Sequence, residues 1–138
     1  MLKNKIILLD LNYTLAEKIV VSKIFEYNVA EDKYRMDLVE MIKGNRVFLI
    51  TARTDNYKEE TLAKIKADTG LELERAYFKS YAKRFQKACD FKAEVVKELF
   101  KEGFKSEDFF AIESNKDTRA KYKELNITAL PYKELKKE

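Results

Sequence analysis

Apolar positions along this chain follow two rhythms. Five short segments read as strands, at 5–10, 46–51, 74–78, 108–113 and 127–130. The first, second and fourth are unbroken apolar runs rather than alternating ones, the pattern of parallel strands buried on both faces. Between them, apolar residues recur at helical spacing. Residues 33–43 put Met36, Val39, Met41 and Ile42 near one stripe, and residues 57–68 turn Leu62 and Ile65 inward before a C-cap at Thr69-Gly70. Residues 92–102 turn Val95, Val96, Leu99 and Phe100 inward and stop before Gly103, and residues 117–125 space Ala120, Tyr122 and Leu125 helically. Strand and helix therefore alternate through most of the chain. That order predicts an α/β fold: a Rossmann-like three-layer sandwich on a five-stranded, mostly parallel sheet with right-handed crossovers.

One stretch breaks the alternation. Residues 15–30 are rich in β-branched and aromatic side chains and lie between the first strand and the first helix. They read as a small β-hairpin flap over the sheet edge. No repeat, linker or low-complexity stretch interrupts 1–138, so one domain is expected, with a solvated tail at 133–138. At 138 residues the chain can bury one core without a disulfide or metal staple. Apolar residues make up 46% and charged residues 38%, a composition that suits a charge-coated globular protein. The longest of the strand-forming apolar runs is too short to span a membrane, and the segment from Met1 lacks the pattern of a signal peptide.

The missing residue types narrow the chemistry. There is no His, which excludes Ser-His, Cys-His and phosphohistidine mechanisms and His-based zinc sites. The single Cys, Cys89, cannot form an internal disulfide and suits a reducing, cytoplasmic setting. No Gly or Arg follows it closely enough to cradle an anion, so it reads as structural. Catalysis must then rest on carboxylates, Lys, Arg, hydroxyls, backbone amides or a bound metal.

Ligands of an open parallel sheet bind beyond the carboxyl ends of its strands. There the chain places Asp10-Leu11-Asn12-Tyr13-Thr14, Thr51-Ala52-Arg53-Thr54, Lys79-Ser80 and Glu113-Ser114-Asn115-Lys116-Asp117. A buried strand that ends in a carboxylate carries a desolvation cost unless the charge is paired. Two such ends on neighbouring strands suggest a shared divalent cation held by oxygen, most simply Mg²⁺.

In this order the segments resemble the four motifs of the haloacid dehalogenase (HAD) superfamily of phosphohydrolases. Asp10-Leu-Asn12-Tyr-Thr14 resembles its Asp-x-Asp-x-Thr, and Thr51 its strand-closing Ser or Thr. Lys92 best resembles its helix-borne Lys, with Lys79 and Lys83 as competitors, and Glu113 with Asp117 resembles its acidic pair. The resemblance implies that Asp10 is a nucleophile forming an aspartyl-phosphate. It also implies that Asp10, the Asn12 carbonyl, Glu113 and Asp117 serve Mg²⁺, and that Thr51 and Lys92 grip phosphate. Thr14 and Arg53 are placed with the substrate, Arg53 either reading it or pairing with Asp55. The chain departs from the family pattern at Asn12, where the superfamily carries a general acid/base Asp; an amide cannot supply that proton. Three readings follow: a substituted phosphatase, another acid such as Glu17 or Asp55, or slow turnover shading into phosphate binding. Tyr13 stands where the family commonly has Gly and crowds the entrance.

Charge points to a substrate class. The chain carries 28 Lys and Arg against 24 Asp and Glu. The excess is concentrated at 75–92, where Arg75, Lys79, Lys83, Arg84, Lys87 and Lys92 face only Asp90 and interleave with Tyr81 and Phe85. Cations with stacking aromatics suit a nucleotide or a nucleic-acid end, and Lys79, Lys83 and Arg84 are the substrate-binding candidates. The small flap and this basic stretch are similar to the phosphatase half of polynucleotide kinase-phosphatases and to small HAD-like proteins of phages. A protein with so small a cap would admit a phosphorylated macromolecule as readily as a small molecule.

Overall fold

In the structure, a computed structural model describing residues 2–135, each unbroken apolar run becomes a strand whose side chains alternate between two helical layers. The chain runs β1 (Ile6–Leu9), β2 (Ala16–Lys18), β3 (Val21–Lys23), β4 (Glu26–Tyr27), β5 (Lys33–Tyr34), α1 (Met36–Ile42), β6 (Arg46–Thr54), α2 (Lys58–Thr69), β7 (Arg75–Lys79), α3 (Ala88–Lys101), β8 (Phe109–Ile112), α4 (Lys116–Glu124) and β9 (Thr128–Leu130). The main sheet has the order β7-β6-β1-β8-β9, with every pair parallel. Ile7, Leu9, Val47, Leu49, Phe110 and Ile112 pack on one side with Leu38 and Ile42 of α1 and Ile65 of α2. Ile6, Leu8, Phe48, Ile50, Phe109 and Ala111 pack on the other with Val96 and Leu99 of α3 and Tyr122 of α4. This is the expected three-layer α/β sandwich, and it explains why these strands have no polar face to alternate.

Some elements differ from the sequence expectation. In α1 the inward residues are Leu38, Val39 and Ile42, while Met36 at the helix start is exposed. The helix has only seven residues, too few for a stripe to declare its own phase. Helix α3 begins at Ala88, so Lys92 lies inside it rather than at its start. Gly70 caps α2 at φ +69°, a left-handed position that favours glycine. The flap contains two antiparallel ribbons, β2 with β5 at its base and β3 with β4 at its tip. Of the tail expected to be solvated, Lys133 and Glu134 are exposed and 136–138 lie outside the described residues. Among the described residues no helix is long and apolar enough to cross a membrane.

The order of the strands decides where a ligand can sit. Successive crossovers run outward from β1 to β6 and β7, and the chain then returns to the far side of β1 as β8 and β9. The sense of winding reverses between β1 and β8, and ligands of such sheets bind beyond the carboxyl ends of the strands at that reversal. Asp10 follows β1 and Glu113 follows β8, and the Asp10 amide donates to the Ile112 carbonyl at 3.0 Å.

Candidate active site

Asp10 is 6% exposed and Glu113 1% exposed. Lys92 Nζ, itself buried, donates to Asp10 Oδ1 at 2.8 Å and to Glu113 Oε1 at 2.7 Å. The two carboxyl oxygens therefore lie no farther apart than those two bonds laid end to end, with the Lys92 ammonium between them. The other Asp10 oxygen, Oδ2, accepts from the Thr14 hydroxyl at 2.8 Å and the Ser114 hydroxyl at 2.9 Å. Glu113 Oε2 accepts from the Asn115 amide at 3.2 Å.

One ammonium facing two carboxylates leaves the cluster short of positive charge. Burial pushes both acids up, and the two respond in opposite ways. At Asp10 the Lys92 charge and the hydrogen bonds from its neighbours outweigh burial and hold the carboxyl below its ordinary range. At Glu113 burial prevails, reinforced by the Asp10 charge, and the carboxyl is pushed up to about 8. Lys92 is buried too, and the paired acids overcome that burial and hold its proton firmly. The two acids are thus pushed apart, Asp10 towards its ionised form and Glu113 towards its protonated one, with Lys92 held charged between them.

The oxygens present suit a hard divalent cation in kind. They are two carboxylates and the Asn12 carbonyl, which accepts from the same Ser114 hydroxyl at 3.3 Å that bonds Asp10. These residues could hold Mg²⁺, its remaining positions falling to water or phosphate. Asp117 does not join them. It is exposed in the first turn of α4, and its side chain lines a surface groove with Lys87 and Cys89. The Asn115 side chain caps α4 by accepting from the Asp117 and Thr118 amides, and of those two residues the helix turns Thr118 inward and Asp117 outward. Among the described residues no group of three or more Asp, Glu or Cys gathers in metal-ligating position.

Beyond the second strand the structure replaces the expected substrate contact with a buried ion pair. Strand β6 continues past Thr51 to Thr54 and carries Arg53 inward, where it is 0% exposed. Arg53 donates to both oxygens of Asp32, at 2.8 and 3.3 Å, to Thr61 Oγ1 at 3.2 Å and to Asn12 Oδ1 at 3.1 Å. Its guanidinium lies 4.6 Å from the centroid of flap residue Tyr27. Arg53 does not pair with Asp55, whose Oδ1 instead accepts from the Tyr81 amide at 3.1 Å. Thr51 is buried and its Oγ1 accepts from the Arg53 amide at 3.0 Å, so the hydroxyl proton is free for another partner. Thr14 acts on Asp10 rather than standing at the entrance. Glu17 is half-exposed and lies 3.7 Å from Arg35, on the flap base.

Lys79 is also buried, and its Nζ donates to the carbonyls of Arg84 at 3.0 Å and Gln86 at 2.8 Å. Burial, and then repulsion from nearby Lys92, push its pKa down. It fastens the turn after β7, which leaves Lys92 as the lysine at the carboxylates. Lys83 stands exposed on that turn, and Arg84 stacks over Tyr81 and Phe85. Tyr13, 59% exposed, takes φ +65°, the conformation that a Gly would adopt without strain.

Two residues escaped the sequence reading. Ser114 follows Glu113 directly, and its place after a buried strand-end acid was a usable signal. Asp32 lies in the loop between flap and α1 with no motif around it, and only the fold brings it to Arg53.

No protein-family model matches this sequence, and no curated protein matches it. Its fold does match solved structures. One, "Structure of the Pnkp1/Rnl/Hen1 RNA repair complex", aligns with a TM-score of 0.68 at 19% identity over 93% of this chain and 42% of the other. Another, "Structure of Pnkp1/Rnl/Hen1 complex", aligns with a TM-score of 0.67 at 18% identity over 93% and 45%. The chain thus spans less than half the length of either, and at this identity the likeness is one of fold.

Proposed function

We propose that this chain is a Mg²⁺-dependent phosphohydrolase that passes a phosphoryl group through Asp10, on the terminal phosphate of a nucleotide or nucleic acid. The observation that carries the reading is the buried Asp10 carboxyl at the switch point of the sheet, joined to Glu113 through Lys92. A buried carboxylate kept anionic is prepared to act as a nucleophile. One of its oxygens forms a bond to phosphorus while the bond to the leaving oxygen breaks, and the electron pair departs with that oxygen. Water then attacks phosphorus, the bond to Asp10 breaks, and the carboxylate is regenerated. Lys92 offsets the negative charge that builds up between Asp10 and phosphate, and the free Thr51 proton can bond a phosphoryl oxygen. Asp10, the Asn12 carbonyl and Glu113 would hold Mg²⁺, which when bound supplies charge that lessens repulsion between carboxylate and phosphate.

Asn12 sets the limits of this chemistry. Its Oδ1 accepts from Arg53, and neither prong of the amide can protonate a leaving alkoxide or accept a proton from water. Leaving groups that need no proton should therefore react best, and breakdown of the acyl-phosphate should be slow. The same observation favours a second reading, a slow or silent phosphate-binding protein. The nucleic-acid class is supported by the cationic, aromatic turn after β7 and by the fold shared with chains of an RNA repair complex.

A phosphate-release screen separates the readings. It uses p-nitrophenyl phosphate, nucleotides, and 3′- and 5′-phosphorylated oligonucleotides, with Mg²⁺ or EDTA. The enzyme reading expects release that EDTA and Asp10→Asn abolish. Mg²⁺-dependent binding of phosphate with no release above the Asp10→Asn background would establish the silent reading instead.

A further inference from the structure

Large hydrophobic side chains that stand exposed are few here, and they are not scattered. Among the described residues they are Tyr13, Val21, Ile24, Met36, Tyr81 and Phe85. All but Met36 lie on the loop after β1, on the flap, or on the turn after β7, segments that follow the carboxyl ends of β1 and β7. Isolated exposed apolar residues need no explanation, whereas a group of them around one site does.

Phe85 is the most informative. It is 78% exposed, yet its backbone is held firmly. The buried Lys79 ammonium bonds the carbonyls on either side of it, those of Arg84 and Gln86. The turn is fastened again where Arg84 Nη1 donates to the Tyr81 carbonyl at 3.0 Å and the Tyr81 amide to Asp55. The Arg84 guanidinium lies 4.4 Å from the Tyr81 ring centroid and 4.9 Å from that of Phe85. The flap reaches the turn as well: the rings of Phe25 and Phe85 stand nearly perpendicular, with centroids 5.3 Å apart. Phe25 sits in the two-residue tip between Lys23 and Glu26 at φ +65°, where a hairpin would favour Gly or Asn. A local rule is broken at the tip, and the result is an aromatic ring held against the turn.

We propose that Phe85, flanked by Arg84 and Phe25 and 78% exposed, is a stacking platform for a base of the single-stranded nucleic acid whose terminal phosphate meets Asp10. The inference rests on the phosphohydrolase reading for that last clause alone. An aromatic face takes any base, and interleaved cations take the phosphates on either side of it, so recognition would be of single strands without sequence preference. A protein partner would use the apolar rings but would not call for the exposed Lys83 and Lys87 beside Arg84.

The test is binding, which does not depend on turnover. Fluorescence anisotropy of the full chain is measured with a 3′-phosphorylated oligothymidylate and with an abasic strand of the same length and charge. The thymidylate should bind roughly tenfold tighter. Phe85→Ala should erase that difference, and Phe85→Trp should restore it; circular dichroism checks that each variant is folded. Equal affinity for the two strands, an undiminished preference in Phe85→Ala, binding of neither strand, or self-association through this surface in sedimentation would each overturn the proposal. Hydrolysis of p-nitrophenyl phosphate by the unsubstituted protein is scored separately. Hydrolysis without base preference rejects the platform and keeps the phosphatase; base preference without hydrolysis does the reverse.

Discussion

Two buried charge clusters lie within a few residues of each other, and they are built on opposite principles. Arg53 and Asp32 form a closed pair: both are fully buried, one cation meets one anion, and Thr61 and Asn12 take further guanidinium protons. Lys92 with Asp10 and Glu113 is unbalanced, one cation against two acids, with the exposed Ser114 at its edge. A closed pair holds structure together, here the loop after the flap against the sheet. An unbalanced one sets two acids against a single cation and pushes their pKa values apart, which marks the one kept charged as the reactive carboxylate. Substitutions should therefore separate activity from stability.

The largest effect is expected at Asp10. Asp10→Asn should lower phosphate release by more than about 10³-fold, while thermal unfolding moves little, since Glu113 can ionise in its place against Lys92. Steady-state kinetics beside a melting curve checks both halves. Arg53→Met should do the reverse in kind, costing roughly 3–5 kcal/mol of stability, because it strands Asp32 as a buried, unpaired carboxylate. Urea denaturation gives that number, and a loss of under about 1 kcal/mol would mean that the pair is not the tie proposed here.

Asn12→Asp joins the two clusters. General acid help is typically worth about 10²–10⁴-fold, and the gain should appear on alkyl phosphates more than on aryl ones. Arg53, 3.1 Å from Oδ1 of Asn12, would hold a carboxyl there in its charged form, so the gain should fall near the lower end of that range. Equal gains on both substrate types would argue against an acid role for position 12.

The smallest effect concerns pH. Glu113 is raised from 4.5 to about 8 in the folded chain, so between those values the folded state binds more protons than the unfolded one. Stability contributed by this group must then decline as pH rises from about 4.5 to about 8. The lowered pKa of Asp10 acts in the opposite sense but only below its ordinary value of 3.8, outside this window. A divalent cation bound to ionised Glu113 would displace the proton. Mg²⁺ should accordingly raise the melting temperature more at pH 8 than at pH 6, and calorimetry in buffers of different ionisation enthalpy should detect proton release on binding.

How much of this was legible in the chain depended on the range of the interaction. Burial on both faces leaves its mark on each strand separately, so the runs around Leu8, Phe48 and Phe110 announced a parallel sheet. Asp10 and Glu113 were visible because an acid closing an apolar strand is costly and so demands a reason. Arg53 was visible as a charge but not as a buried one, since β6 runs three residues past Thr51 and Asp32 answers it from a loop. Lys79 and Lys92 have the same composition signal and different duties. Their partners tell them apart: backbone carbonyls of the turn around Phe85 take the Lys79 protons, and two carboxylates take those of Lys92. Asp117 showed the limit of spacing arguments: four residues from Glu113 is close along the chain, yet α4 turns it outward.

Acid-quenched mass spectrometry during turnover of p-nitrophenyl phosphate bears on Asp10 itself. With an amide at position 12, the phosphorylated chain should accumulate after a burst of about one nitrophenolate per molecule. Peptide mapping should place the phosphoryl group on Asp10, and the adduct should vanish in Asp10→Asn. Phosphate release that proceeds equally well in Asp10→Asn, or a phosphoryl group mapped to any other residue, would contradict the role assigned to the carboxylate at the end of the first strand.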